Sequence, residues 1–179
     1  MAWTAPMTAV ANAAFTAAQF NTHVRDNLNE TTPAKATAAG SHFIAGGLNS
    51  IVERFTQRAN VGTSQNTTST SFTDLSTSGP AVTVDTSTGA MIIVSARLSN
   101  NTGGQTSEMS FAISGASSIA AATSRSLSYE SSNGGDEMLA SFVHFEDAIT
   151  TGSNVFTAKY RVTGGTGTFG ARLIIVMPF

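Results

Sequence analysis

The chain has 179 residues, only 11% of them charged, with a formal net charge of −2 and no cysteine. That balance lacks the clustered Lys and Arg with which a nucleic-acid surface displaces counterions, so nucleic-acid binding is not expected. Without cysteine there is neither a disulfide framework nor a thiolate metal site, and stability has to come from packing.

The first predicted element is a short helix over about residues 16 to 30. Thr16 is its N-cap, and Gln19 three positions on completes a capping box. Phe15 before the cap and Phe20 after it form a hydrophobic staple. Phe20, Val24 and Leu28 recur every four residues on one face. The pattern is expected to end by Thr32, because Pro33 disfavours a helical residue before it. A helix this short is marginal alone, so its stripe must dock on the rest of the chain, a symmetry mate or another protein. Trp3, Phe15, Phe20, Val24 and Leu28 are therefore the candidate anchoring residues, the plainer reading being that they pack on the chain's own β-domain.

Residues 31 to 40, rich in Thr and Ala, are expected to form an extended connector. His42-Phe43-Ile44 and the run from Leu48 to Phe55, divided by Gly46-Gly47, suggest a strand or short hairpin. Residues 1–60 thus make an N-terminal arm, and residues 61–179 a second domain of another kind.

From Thr63 onward, short alternating segments are separated by Gly, Ser, Asn and Thr clusters. Four inward rows follow from strict alternation: Ile92-Val94-Ala96-Leu98; Met109-Phe111-Ile113; Phe156-Ala158-Tyr160-Val162; and Phe169-Ala171-Leu173-Ile175-Met177. Ile174 and Val176 then fall on the opposite face of the last strand, which suggests a central strand or one covered by another subunit. Residues 71–75, 81–85 and 126–131 are weaker strands. Met138 to Phe145 fits a helix or a strand; the strand is preferred, since about eight strands at this spacing close a jelly-roll-like antiparallel β-sandwich. The expected fold is mainly β: such a sandwich preceded by an arm with one short α-helix.

Trp3-Thr4-Ala5-Pro6, followed by the run from Phe15 to Asn29 that contains Thr22-His23-Val24-Arg25-Asp26-Asn27, resembles the N-terminal motif of minor tail proteins from tailed bacteriophages, especially those of actinobacteria. The spacer from Met7 to Ala14 departs from the Trp-Val-Ala-Gly-Glu more usual there. Residues 154–162 and 164–169 are similar to C-terminal β-domains of such virion proteins. The resemblance implies a tail-tip, baseplate or fibre component made in the host bacterial cytoplasm and carried in the virion. Its partners would be other virion proteins, its oligomer a homotrimer, and a host-surface receptor a further partner. A capsid decoration or head spike fits the same layout, and a receptor- or glycan-binding module is a reading from another class.

Chemistry has little support. Gly165-Thr166-Gly167-Thr168-Phe169-Gly170 matches G-x-G-x-x-G, yet a β-alternating segment follows where a dinucleotide site needs a helix N-terminus. His23 with Asp26, three apart on the helix, are read as polar flank or interface hydrogen bonds rather than as metal ligands or an acid–base pair, and His144 and Glu146 share one face of a strand. Asp136, Glu137 and Asp147 near turns are expected to cap or solvate them, a loop Ca²⁺ site being the rival reading. Asp85, Glu108, Glu130 and Asp147 have no spacing that marks a catalytic pair. No catalytic residue, cofactor or metal is assigned, and the chain is not expected to be an enzyme. No signal peptide is expected, and the longest apolar runs (91–94, 173–177) fall far short of the roughly 20 residues that span a bilayer, so no membrane insertion is expected.

Overall fold

The computed structural model describes residues 3–179, which fall into two compact units, Met1–Phe55 and Thr56–Phe179. In the first unit, α1 (Ala17–Phe20), a π-helical turn (Asn21–Arg25) and α2 (Asp26–Leu28) follow without a break. The Thr16 side chain accepts from the Gln19 amide while Gln19 reaches back to the Thr16 N–H, closing the capping box. The Phe15 and Phe20 rings meet edge to face, 6.1 Å between centroids. A separate helical turn, α3 (Thr32–Lys35), interrupts the expected connector. Its proline sits in the first turn, where the missing N–H costs nothing. Strands β1 (His42–Gly47) and β2 (Ser50–Arg54) then pair as an antiparallel hairpin.

The second unit starts earlier than the boundary after residue 60 anticipated. Strand β3 (Gln57–Val61) pairs with the last strand and so belongs to the sandwich. It is followed by β4 (Gln65–Thr67), β5 (Ala81–Thr86), β6 (Ala90–Asn100), β7 (Thr106–Gly115), β8 (Leu127–Glu130), β9 (Glu137–Glu146), β10 (Gly152–Val162) and β11 (Gly167–Pro178). The pairs β7–β8, β6–β9, β5–β10 and β3/β4–β11 nest within one another around a single antiparallel hairpin. Further pairing of β10 with β7 and of β11 with β6 winds that ribbon into two sheets, β5-β10-β7-β8 and β3-β11-β6-β9. This is the jelly-roll order. Residues 71–75, expected as a strand, contribute one bridge, Thr73 to Tyr160.

Alternation places the core where the sequence indicates for three of the four rows. Ile92, Val94, Ala96 and Leu98, then Met109 and Phe111, then Phe156, Ala158, Tyr160 and Val162 are wholly buried between the sheets. The fourth row is reversed. A bulge between Gly170 and Leu173, with Ala171 at φ 46°, adds a residue and flips the parity. Arg172, Ile174 and Val176 therefore point inward and are fully buried, whereas Leu173, Ile175 and Met177 lie half-exposed on the outer face.

Arg172 is accommodated because the sandwich end supplies acceptors. Its guanidinium donates to the carbonyls of Thr77 and Gly79 (both 3.3 Å) and Thr63 (3.2 Å) and to Gln65 Oε1 (3.0 Å). It also lies 5.4 Å from the Tyr160 ring centre. The Tyr160 hydroxyl donates to the Gly79 carbonyl at 2.8 Å, and burial pushes its pKa up to about 12.

Candidate functional site

The motif residues of the first unit form one hydrogen-bonded assembly. Asn27 and His23 stand one turn apart and face the same segment. Thr4 N–H donates to Asn27 Oδ1 (2.8 Å), and Asn27 Nδ2 donates to the Thr4 carbonyl (2.9 Å) and to the His23 carbonyl (3.1 Å). The Asn27 amide thus replaces a neighbouring strand for Thr4 and satisfies both of its main-chain groups. His23 Nδ1 lies 3.1 Å from the Ala5 carbonyl oxygen. Since a carbonyl only accepts, Nδ1 carries the proton. Trp3 N–H continues the path with a 2.6 Å bond to the Asn49 carbonyl in the hairpin turn.

The far side is closed by charge. Lys35 pairs with Glu30 (2.8 Å) and donates to the Ile51 carbonyl (3.0 Å), and the Lys35 ammonium draws the Glu30 pKa down. Hydrogen bonds from Ser41 and from the Thr37 side chain and amide hold the Glu53 carboxyl at about 2.

Polar bonds carry this unit because it has almost nothing else. Among its described residues only Asn27 and Glu30 are buried, and no apolar side chain is. Of the anchoring candidates, Trp3 is 41% exposed, Phe15 56%, Phe20 48% and Leu28 59%, while Val24 is half-buried. Within this unit they are held in place by their backbones but left uncovered. Concavities of about 490 Å³ beside Trp3 and about 360 Å³ beside Phe15 adjoin them. Sequence reasoning singled out the aromatic and aliphatic residues but gave Asn27 no role. The signal was the i, i+4 spacing of His23 and Asn27 opposite a Thr-x-Pro segment.

Among the described residues no three His, Asp or Glu gather as a metal site. Asp26 pairs with its neighbour Arg25 at 2.8 Å, and Glu146 with Arg125 at 2.9 Å, His144 lying 3.6 Å from the same carboxylate oxygen. Buried Glu108 is held by Arg161 (2.7 Å) and Ser126 (3.2 Å), while Asp85, Glu130 and Asp147 are exposed. A groove of about 450 Å³ contains Phe72, Lys159 and Arg161, but its cations are neutralised by Asp74 and Glu108, each at 2.7 Å. The G-x-G-x-x-G stretch is the β10–β11 turn running straight into a strand, with Gly165 at φ 66°. Loops 100–104 and 131–135 bind each other through Gly104 N–H to the Ser131 carbonyl (2.8 Å) and Gly135 N–H to the Asn100 carbonyl (2.7 Å). No described helix is long and apolar enough to cross a membrane.

Neither a family model nor a curated protein matches the chain. Among solved structures, the infectious bursal disease virus VP2 subviral particle aligns over 75% of this chain and 36% of its own at 11% identity, TM-score 0.45. The Gx strain of that virus aligns over the same shares at 10% identity, TM-score 0.41. A carbohydrate-binding module of Cellvibrio mixtus lichenase 5A, solved with cellotriose, aligns over 81% and 92% at 14% identity, TM-score 0.35. The chain thus aligns with about a third of the length of the viral proteins and with nearly all of the module.

Proposed function

We propose that the chain is a structural component of a tailed-phage virion, a minor tail protein of the tail tip, baseplate or fibre. The first unit attaches it, and the jelly roll is the part displayed. One observation carries this reading. The residues that resemble the tail-protein motif, Thr4, His23 and Asn27, are those that lock the segment to the helix, and they do so while leaving Trp3, Phe15, Phe20 and Leu28 uncovered. A motif whose polar members preorganise an exposed apolar row is what docking at low entropic cost requires. The partners are other virion proteins, and the protein acts in the particle after synthesis in the host cytoplasm.

Deleting residues 1–30 tests the reading. The sandwich, which holds the whole buried apolar core, keeps its cooperative melting, and the protein disappears from assembled particles. A whole-particle map of the intact chain then places it, with three copies at each attachment point as the stoichiometry to look for. Density on the head instead of the tail makes it a capsid decoration, and normal incorporation of the deletion variant refutes attachment through the arm.

A further inference from the structure

The groove of about 450 Å³ lies on the outer face of the sheet β5-β10-β7-β8, and both of its walls are pinned. One wall is the segment 70–72. It is tied to β10 by the Val162 N–H on the Ser69 carbonyl (2.9 Å) and by two bonds exchanged between Thr73 and Tyr160 (3.0 and 2.9 Å). The other wall is residues 120–121, held over β7. Ile119 and Ile113 exchange two bonds (2.8 and 2.9 Å), Ala122 N–H donates to Ser110 Oγ (3.2 Å), and Arg125 donates to the Ala120 carbonyl. Ala112 of β7 and Lys159 and Arg161 of β10 complete the lining. We propose that this groove binds a neutral saccharide, its ring C–H groups resting on Phe72 and the alanines and its hydroxyls bonded to Lys159 and Asp74.

Charge selects against an anion. Lys159 already holds Asp74 and Arg161 already holds Glu108, each at 2.7 Å, so a phosphate or carboxylate would have to displace a carboxylate from its cation. Backbone pairing selects against a peptide strand. In the floor, Thr157, Lys159 and Arg161 are laddered to Ala112, Ser110 and Glu108, which leaves no free main-chain row for an added strand. A sugar suits what remains. The Lys159 ammonium has three protons and gives one to Asp74, while the Asp74 side chain is 40% exposed and has a second oxygen to accept with. A donor and an acceptor side by side match adjacent hydroxyls, each of which both accepts and donates. Phe72 is half-buried, with the Arg161 guanidinium 5.1 Å from its ring centre, and Ala112, Ala120 and Ala121 stop at Cβ. Those groups give the less polar side of a sugar ring an apolar surface without filling the space above it. The volume falls within the roughly 300–1,000 Å³ of small-ligand sites. Because ion pairs and wall contacts already order the lining, little side-chain freedom is left to lose on binding.

Binding is measured on the isolated full-length chain, whereas attachment through the arm is read from particles, so the two ideas fail separately. The ¹⁵N-labelled protein is titrated with glucose, galactose, mannose, rhamnose and N-acetylglucosamine, each free and as its methyl glycoside. Probes are taken to about 50 mM, well past a Kd on the order of 1 mM. At least one sugar is expected to shift the amides of Ala112, Ala121 and Lys159 while leaving Ile92 and Leu139 in place. Binding of the methyl glycoside assigns the ligand to a polymer-linked residue, and its exclusion to a free sugar. Phe72→Ala and Lys159→Gln are each expected to weaken binding by roughly tenfold or more, as loss of an aromatic contact or a charged hydrogen bond does, with an unchanged melting transition. Lys159→Gln decides the matter should Phe72→Ala disturb the fold. The proposal is overturned if no sugar moves the groove amides, if phosphate or a tetra-alanine peptide moves them and no sugar does, or if the shifts persist undiminished in both variants.

Discussion

Asn27 and Thr4 exchange two hydrogen bonds, 2.8 and 2.9 Å long, through which one side-chain amide stands in for a missing β-strand. The first unit has no buried apolar side chain among its described residues, so its order hangs on such contacts and not on a core.

Asn27→Ala leaves the Thr4 N–H and carbonyl unpaired, at a cost of about 1–3 kcal/mol. Hydrogen exchange at Thr4 is expected to accelerate by one to two orders of magnitude. Exchange at Ile92 or Phe156 in the sandwich stays unchanged. Loss of protection in both places would mean that the two units unfold as one.

Acid should loosen the first unit. The Glu53 carboxyl is held near 2 against an ordinary 4.5, and Glu30 is displaced in the same direction. Their stabilisation is therefore present above about pH 4.5 and is lost as the pH falls toward 2. Trp3 is the chain's single tryptophan and is tied to the hairpin, so its fluorescence follows the change. Glu53→Gln flattens the profile in that window.

Arg172→Ala removes a buried cation from three carbonyls and the Gln65 amide oxygen. Bonds from a charged donor are worth about 1.5–3 kcal/mol each, and the emptied site leaves acceptors dry, so a loss of about 3 kcal/mol or more is expected. Chemical denaturation of the full chain measures it. A surface arginine, which unbroken alternation along β11 would make of this residue, would cost only a few tenths.

Alkaline titration reads the burial of Tyr160. Burial holds the Tyr160 hydroxyl protonated up to about pH 12, so its contribution to stability is whole below pH 10 and disappears as the pH rises through 12. The absorbance step that vanishes in Tyr160→Phe lies at that upper end.

The jelly roll was legible in the sequence because its long strands alternate strictly. From Ile92 to Leu98 and from Phe156 to Val162 each second residue is apolar, and each is buried. The reversal in β11 was not legible. Gly170 and Ala171 look like two ordinary strand positions, and only pairing with β6 reveals that one of them is extra. Leu139, Val143 and Phe145 share one face of β9, interrupted by Ser141, yet they face outward, because periodicity identifies an apolar face without saying which side is covered. In the arm, the capping box and staple were written in local spacing, whereas the Asn27–Thr4 bonds join residues far apart in the chain. The extra helical turn at Thr32 was hidden by reading Pro33 as a stop when it serves as a start.

A scaffold tied by polar contacts and wrapped in uncovered apolar side chains is easy to open in isolation and hard to reach once seated. Arg25 and Lys35 lie within it. Limited trypsin digestion is therefore expected to nick the isolated chain there early, and the proposed attachment of this unit to a particle would be read as protection of the same two sites.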